Sequence, residues 1–242
     1  MSEFYIGYLA KASAGTGHFI KKVVAGLAAL GAITAMVLVL SQMPFARSTF
    51  EFGHWRSFEG VVVSNPYPVL LVPRPGSREF SQYLLVALGK YGADNFVATF
   101  EGKNVHVRGQ LIYRDGETMV EIDPKTIMVT ESVENPVPET TDLGTTTLTG
   151  EIVDSKCYFG VMNPGRGKVH RDCAARCLSG GIPPALLTST GGIVLLVNQD
   201  GEPFAKDALR EFVGEVVVVR GDMIRRGDIK MMQAENIRHA GS

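Results

Sequence analysis

The hydrophobic pattern divides the chain into one long apolar run and many short ones. From Val23 to Leu40 eighteen residues pass without a charge through Val, Ala, Leu, Gly, Ile, Thr and Met. Extended by its neighbours to about twenty residues, such a run crosses a bilayer core as a helix. Lys21-Lys22 stand before it and Ser41-Gln42-Met43-Pro44 close it. A cleavable signal peptide is the alternative, but its apolar region is usually shorter, and Pro44 interrupts the small-x-small approach to Ala46. Lys11, Lys21 and Lys22 precede the run, whereas Arg47 and Arg56 beyond it are balanced by Glu51 and Glu59. The bias places the N-terminus in the cytoplasm. We therefore expect a cytoplasmic tail over 1–18, a transmembrane helix over 19–43 in the inner (cytoplasmic) membrane, and the bulk of the chain in the periplasm or an equivalent extracytoplasmic space.

Beyond the run, apolar and polar positions alternate with the period of strands. Val105, Val107, Leu111 and Tyr113 recur on one side, and Val216, Val218 and Val219 with Met223 do nearly the same. Two blocks recur in the same order. Phe58-Glu59-Gly60-Val61-Val62-Val63 matches Leu148-Thr149-Gly150-Glu151-Ile152-Val153, and Gly102 to Gly109 matches Gly214 to Gly221. Ordered matches of this kind argue for duplication. Glu131 to Thr146 between them is rich in Pro, Glu and Thr without periodicity, as in a linker. Helical interruptions are expected near Phe80 to Tyr91 and Phe204 to Phe212. Short strands bent at glycines around a helix predict small closed barrels of the oligonucleotide/oligosaccharide-binding (OB) type, with a β-sandwich as the alternative. The expected fold is mainly β with one N-terminal transmembrane helix and two tandem OB-like barrels, over 44–131 and 147–240, joined by the linker 132–146. The second copy is longer by roughly twenty residues between its matched blocks. That excess is Cys157 to Pro184, expected to be a helical Cys/His insertion.

The chain has 242 residues and a net charge of −1 with both signs interspersed, so no electrostatic footprint for nucleic acid is present. Candidate chemistry concentrates instead in the insertion, which holds all three cysteines, Cys157, Cys173 and Cys177, together with His170. If Val169 to Ser179 is helical, His170, Cys173 and Cys177 share one face, and Cys157 arriving from a strand completes a four-ligand metal set. The cofactor is left open between one transition-metal ion such as zinc and none. The spacing Cys-x12-His-x2-Cys-x3-Cys is not a common zinc-finger spacing. In an oxidising compartment the competing arrangement is a disulfide from Cys157 to Cys173 or Cys177, since Cys173 and Cys177 one turn apart rarely reach disulfide geometry. A catalytic thiol activated by His170 is a third arrangement, but no acyl-transfer or thioredoxin signature accompanies it, so the chain reads as a non-enzyme.

Gly165-Arg-Gly167-Lys168 lacks the spacing of a phosphate loop and reads as a turn opening the helix. Gly180-Gly181 followed by Pro183-Pro184 reads as its C-cap and stop. His106 falls on a strand, His18 in the tail and His239 at the terminus. Trp55 and Tyr67 read as interfacial anchors close to the membrane.

The segments Gly150-Glu-Ile-Val-Asp154-Ser-Lys-Cys157-Tyr-Phe-Gly160, Pro164-Gly-Arg-Gly-Lys168-Val-His170, Cys173-Ala-Ala-Arg-Cys177 and Gly180-Gly181-Ile-Pro183-Pro184 resemble a family of small exported bacterial proteins with an OB-like barrel. The resemblance covers residues 147–237. It implies an exported barrel domain and supplies no reaction. The anchor, the absence of a catalytic constellation in the sequence and two folds that commonly serve as binding scaffolds point instead to an extracytoplasmic accessory or assembly subunit of an integral-membrane redox complex, respiratory or photosynthetic. The alternatives are a metal-carrying or electron-transfer protein using the Cys/His cluster and, last, a haem-handling protein.

Overall fold

The computed structural model describes residues 13–42, 48–77, 79–131 and 138–241. It contains an N-terminal unit holding one helix and a compact unit formed by residues 47–242.

Helix α1 (Ala14–Gln42) is 29 residues long, about 43 Å at 1.5 Å per residue. It starts earlier than expected because Ser13 caps it: the Ser13 carbonyl accepts from Gly17 N at 2.8 Å and its hydroxyl oxygen from Thr16 N at 3.4 Å. Residues 14–18 of the expected tail, with His18, are therefore helical, and residues 1–12 lie outside the described residues. Within the span Ala14–Ser41 the most apolar eighteen residues have a mean hydropathy of 2.5, and none of them is buried. It is long and apolar enough to cross a membrane, a property that anchors and signal sequences share.

The compact unit consists of two closed five-stranded barrels. The first contains β1 (Ser48–Phe50), β2 (Arg56–Val63), β3 (Val69–Pro73), β4 (Phe80–Ala87), β5 (Asn104–Arg114), β6 (Glu117–Ile122) and β7 (Met128–Val129). Its ring runs β2-β3-β4-β6-β5 and back to β2, with β1 and β7 paired to β5 outside it. The second contains β8 (Thr140–Asp154), β9 (Pro184–Thr188), β10 (Ile193–Val197), β11 (Val216–Arg226) and β12 (Ile229–His239), in the ring β8-β9-β10-β12-β11. In ring order both barrels read first, second, third, fifth, fourth strand. In both, the third and fifth strands pair in parallel, Leu84 opposite Met119 and Leu195 opposite Met231, while the other ring pairs are antiparallel.

The glycines that betray the duplication do the same work twice. A Cβ on Gly60 would collide with Leu71 O, and one on Gly150 with Leu187 O, so the first strand of each ring crosses its neighbour at a glycine. Gly102 and Gly214, which open the second matched block, have φ of +68° and +71°, a conformation that favours glycine.

Two helical expectations are corrected. Phe80–Ala87 is strand β4, which pairs with β3 through Phe80 to Leu84 and with β6 through Leu84 to Ala87, its last four residues buried; a strand with a partner on each edge satisfies its backbone and buries its apolar end better than a one-sided helix would. The helix of this connection is α2 (Asp94–Val97), farther along the chain. Phe204 to Phe212 is a chain of turns, closed by bonds such as Arg210 N to Asp207 O at 3.0 Å. The linker is also shorter than its composition indicates. Residues 140–146 are the first half of β8, where β-branched threonines pair with Arg226 to Gly221 of β11, and residues 132–137 lie outside the described residues.

The barrels share a core. Val61, Leu71, Leu84 and Ile112 from the first and Val153, Phe159, Ile182 and Leu195 from the second belong to one cluster of buried side chains. Tyr67, expected at a membrane surface, is 4% exposed and donates its hydroxyl to Leu196 O at 2.5 Å. The packing removes the phenol from water, which raises its pKa, burial being the chief cause and the Asp94 charge the lesser one. Across the same junction Lys156, 1% exposed, donates from Nζ to Ala87 O at 2.8 Å and Gly89 O at 2.6 Å and pairs with the buried Glu121 carboxylate. Removing one partner of a buried pair leaves the other charge uncompensated, at a cost of about 3–5 kcal/mol, whereas replacing both with apolar residues is far milder. We therefore expect Glu121→Ala to lower unfolding stability by about 3–5 kcal/mol in guanidinium titration of the full-length protein, and Glu121→Leu with Lys156→Met to recover most of that loss.

Candidate metal centre

The three cysteines reach one point from two elements. Strand β8 ends at Asp154, and a wide helical turn, Cys157–Val161, follows. Asp154 fixes the turn by accepting from Cys157 N through Oδ1 at 2.8 Å. The loop after it returns over the turn at Gly165, where a Cβ would strike the Cys157 carbonyl. A tight turn, Lys168–His170, then leads into helix α3 (Arg171–Ser179). One helical turn separates Cys173 from Cys177, so both sulfurs lie on the same side. Cys157 and Cys177 are buried and Cys173 is half-buried. The Gly165-Arg-Gly167-Lys168 segment is thus the helix-opening turn read from the sequence, with Lys168 exposed and 3.7 Å from Glu215.

The donor atoms of Cys157, Cys173 and Cys177 all lie within 4.8 Å of one another, and those of Asp154, Cys157 and His170 form a second such set. The expected four-ligand cluster is thereby divided, with Cys157 common to both halves. The cause is local: the tight turn before α3 takes His170 off the helical periodicity, and His170 Nε2 meets Asp154 Oδ2 at 3.0 Å. Cys157 Sγ is 3.9 Å from Cys177 Sγ and all three thiols are free. Since a disulfide needs about 2.05 Å, the pairing of Cys157 with Cys173 or Cys177 is not supported.

A residue that sequence reasoning missed completes the site. Lys90, from the loop after β4, places Nζ 2.7 Å from Cys173 Sγ and 3.7 Å from Cys177 Sγ. Its loop gets there because of the double glycine. Gly92 N donates to Gly180 O at 2.9 Å, and a Cβ on Gly180 would collide with Lys90 O. Gly180 does cap α3, accepting the C-cap role read from the sequence, with its N–H on Arg176 O and Cys177 O. The same residue also opens the path for the first barrel's lysine. Gly89-Lys90-Tyr91-Gly92, a lysine in a loop bracketed by glycines, was the available signal.

The electrostatics separate the thiols. The hydrogen bond with Cys177 and then burial push the Cys157 thiol up, while the same bond, with help from the Lys90 ammonium, pulls the Cys177 thiol down. The sulfur partner Cys173, opposed by partial burial, leaves the Lys90 pKa raised, which holds it as an ammonium. The lowered thiol is thus Cys177, on the Lys90 side, and the raised one is Cys157, on the Asp154 side.

The other sequence candidates lie elsewhere. His106 is half-buried on β5, with Nδ1 lacking a partner among the described residues. His239 packs its ring 5.0 Å from Phe212, and Trp55 is partly exposed beneath Arg108. Compared with models of known protein families, with curated proteins and with solved structures, the chain finds no match in any of the three.

Accessibility ranks the cysteines, since Cys173 is half-buried and the other two are buried. In the folded, reduced protein iodoacetamide should modify Cys173 first, with Cys157 and Cys177 reacting only in denaturant. Peptide mass mapping after timed quenching checks this order.

Proposed function

We propose that the chain is a membrane-anchored, non-catalytic metal-binding protein in which Cys157, Cys173 and Cys177 hold one divalent transition ion of the zinc class between two OB-type barrels. The mutual approach of three sulfur donors within 4.8 Å is the observation behind this reading. Thiolates are soft ligands suited to zinc and copper(I), and charge balance selects between the two. Three thiolates with a divalent ion leave one negative charge, which the Lys90 ammonium neutralises; a monovalent ion leaves a net charge in a largely buried site, at a desolvation cost. Three protein ligands also leave the fourth position of a tetrahedron open, the arrangement of an exchangeable rather than a sealed zinc site.

The Asp154–His170 pair supports the site from behind. Asp154 joins the turn bearing Cys157 to the residue that opens α3, so it sets the distance between the two sulfur-bearing elements. Supporting partners of this kind are worth 10–100-fold in metal affinity. The OB-type assignment of both barrels rests on their shared ring order with a parallel closing pair, and the helical segment bearing Cys173 and Cys177 is then an insertion between the first two strands of the second barrel. With α1 as an anchor, the N-terminus cytoplasmic and the barrels extracytoplasmic, the chain presents its metal to an integral-membrane redox complex as an accessory or assembly subunit. The apolar stretch of α1, in which no residue is buried, favours this membrane setting.

Full-length protein purified reduced in detergent should hold one zinc per chain with three titratable thiols after unfolding. Cys157→Ser, Cys173→Ser and Cys177→Ser should each lose the metal, and His170→Ala should weaken it by about 10–100-fold without abolishing it. Elemental analysis and competition with a chromophoric chelator measure both; protein that takes up no zinc and melts unchanged when zinc is added refutes the reading.

A further inference from the structure

We propose that the groove over Cys173 is the docking site for a small anionic metal chelate, which hands its metal to that sulfur. The inference rests on the metal-binding reading above and adds how the metal arrives.

Cys173 is the only cysteine lining a groove of about 830 Å³ between the Lys90 loop and α3, so it is the sulfur an incoming metal meets first. This volume lies within the range of small-molecule sites. The groove is cationic: Lys90, Arg171, Arg176 and Arg210 face Asp172 and Asp207. Arg171 is partly engaged with Glu215 at 3.2 Å, and Asp207 accepts from Ser179 Oγ at 2.6 Å. Arg176 and Arg210 are in no ion pair among the described residues. In a chain of net charge −1 this local excess of positive charge is not an average property. It stands in front of a site for a cation, and four positive side chains against two carboxylates leave a net positive lining that disfavours a free hydrated metal ion. They attract the same metal when small thiol or carboxylate ligands give the complex a negative charge.

The handover is a ligand exchange without change of oxidation state. Cys173 Sγ bonds to the metal as one bond from the metal to the chelate breaks. The released donor atom leaves with its electron pair and takes up the proton that the thiol gives up. Cys177 and Cys157 then replace the remaining donors in the same way, drawing the metal inward.

Two measurements on the full-length protein, each with Arg176→Glu/Arg210→Glu, test the groove and the handover apart. In the metal-free protein, the rate of Cys173 alkylation by anionic iodoacetate is compared with that by neutral iodoacetamide. The variant should lower the iodoacetate-to-iodoacetamide ratio by about tenfold, an effect that high salt erases. An unchanged ratio overturns the docking site whatever the metal does. In the second measurement zinc is presented as its anionic nitrilotriacetate complex or as the free ion. The variant should slow uptake from the complex about tenfold at the same final stoichiometry, without slowing uptake of the free ion. Equal slowing from both sources overturns the proposal, because the substitutions then damage the metal site itself. Parent protein that shows the alkylation preference but takes no zinc refutes the metal reading and with it the handover. If the double variant does not fold, Arg176→Gln and Arg210→Gln are compared singly by the same ratios.

Discussion

A buried lysine holds the two barrels in one arrangement. Lys156 leaves the second barrel two residues after β8 ends, crosses the junction, and finds two carbonyls and a carboxylate in the first barrel. An ammonium out of water is tolerable only with its donors satisfied and its charge paired, so the barrels cannot slide or rotate apart without exposing an unmatched charge. The lysine's carbonyl partners, Ala87 and Gly89, belong to the end of β4 and the loop that follows. That loop also carries Lys90, so the interaction joining the barrels positions the cation over the cysteines.

The thiol cluster is consequently a property of the junction. Two of its sulfurs come from α3, the third from the turn after β8, and its counter-charge from the other barrel. Gly180 and Gly92 make the approach possible because backbone must touch backbone there. Any side chain at Gly180 would push Lys90 from the thiols, which would leave their negative charge without its nearest compensation. Asp154 ties the opposite side together with its two oxygens, one on the Cys157 amide and one on the His170 ring. Opposing effects on Cys157 and Cys177 follow from this geometry, one thiol facing a carboxylate and the other an ammonium.

Much of the architecture was legible in the sequence, and the reasons are local. An uncharged apolar run of eighteen residues is long enough to cross a bilayer as one continuous helix. Paired glycines at 60 and 150 and at 102 and 214 marked equivalent bends, because a Cβ or a left-handed backbone excludes other residues there. The crowding of Cys157, His170, Cys173 and Cys177 into one short segment marked the site, and helical spacing placed Cys173 and Cys177 together. What composition misjudged was context. Phe80–Ala87 has a pattern that suits either helix or strand, and pairing on both edges decided it. Threonine-rich 140–146 resembles a linker until β11 lies beside it.

The sequence by itself therefore determined the anchor-like helix, the duplicated barrel and the residues of the thiol cluster, since each depends on periodicity or on steric limits within a few positions. Tertiary structure alone decided that the barrels share a core, that His170 turns to Asp154, and that Lys90 and Glu121 matter at all. Those outcomes depend on groups separated by dozens of residues, whose charges and hydrogen-bonding atoms must be matched once water is excluded, and no local pattern encodes which distant partner will be there to match them.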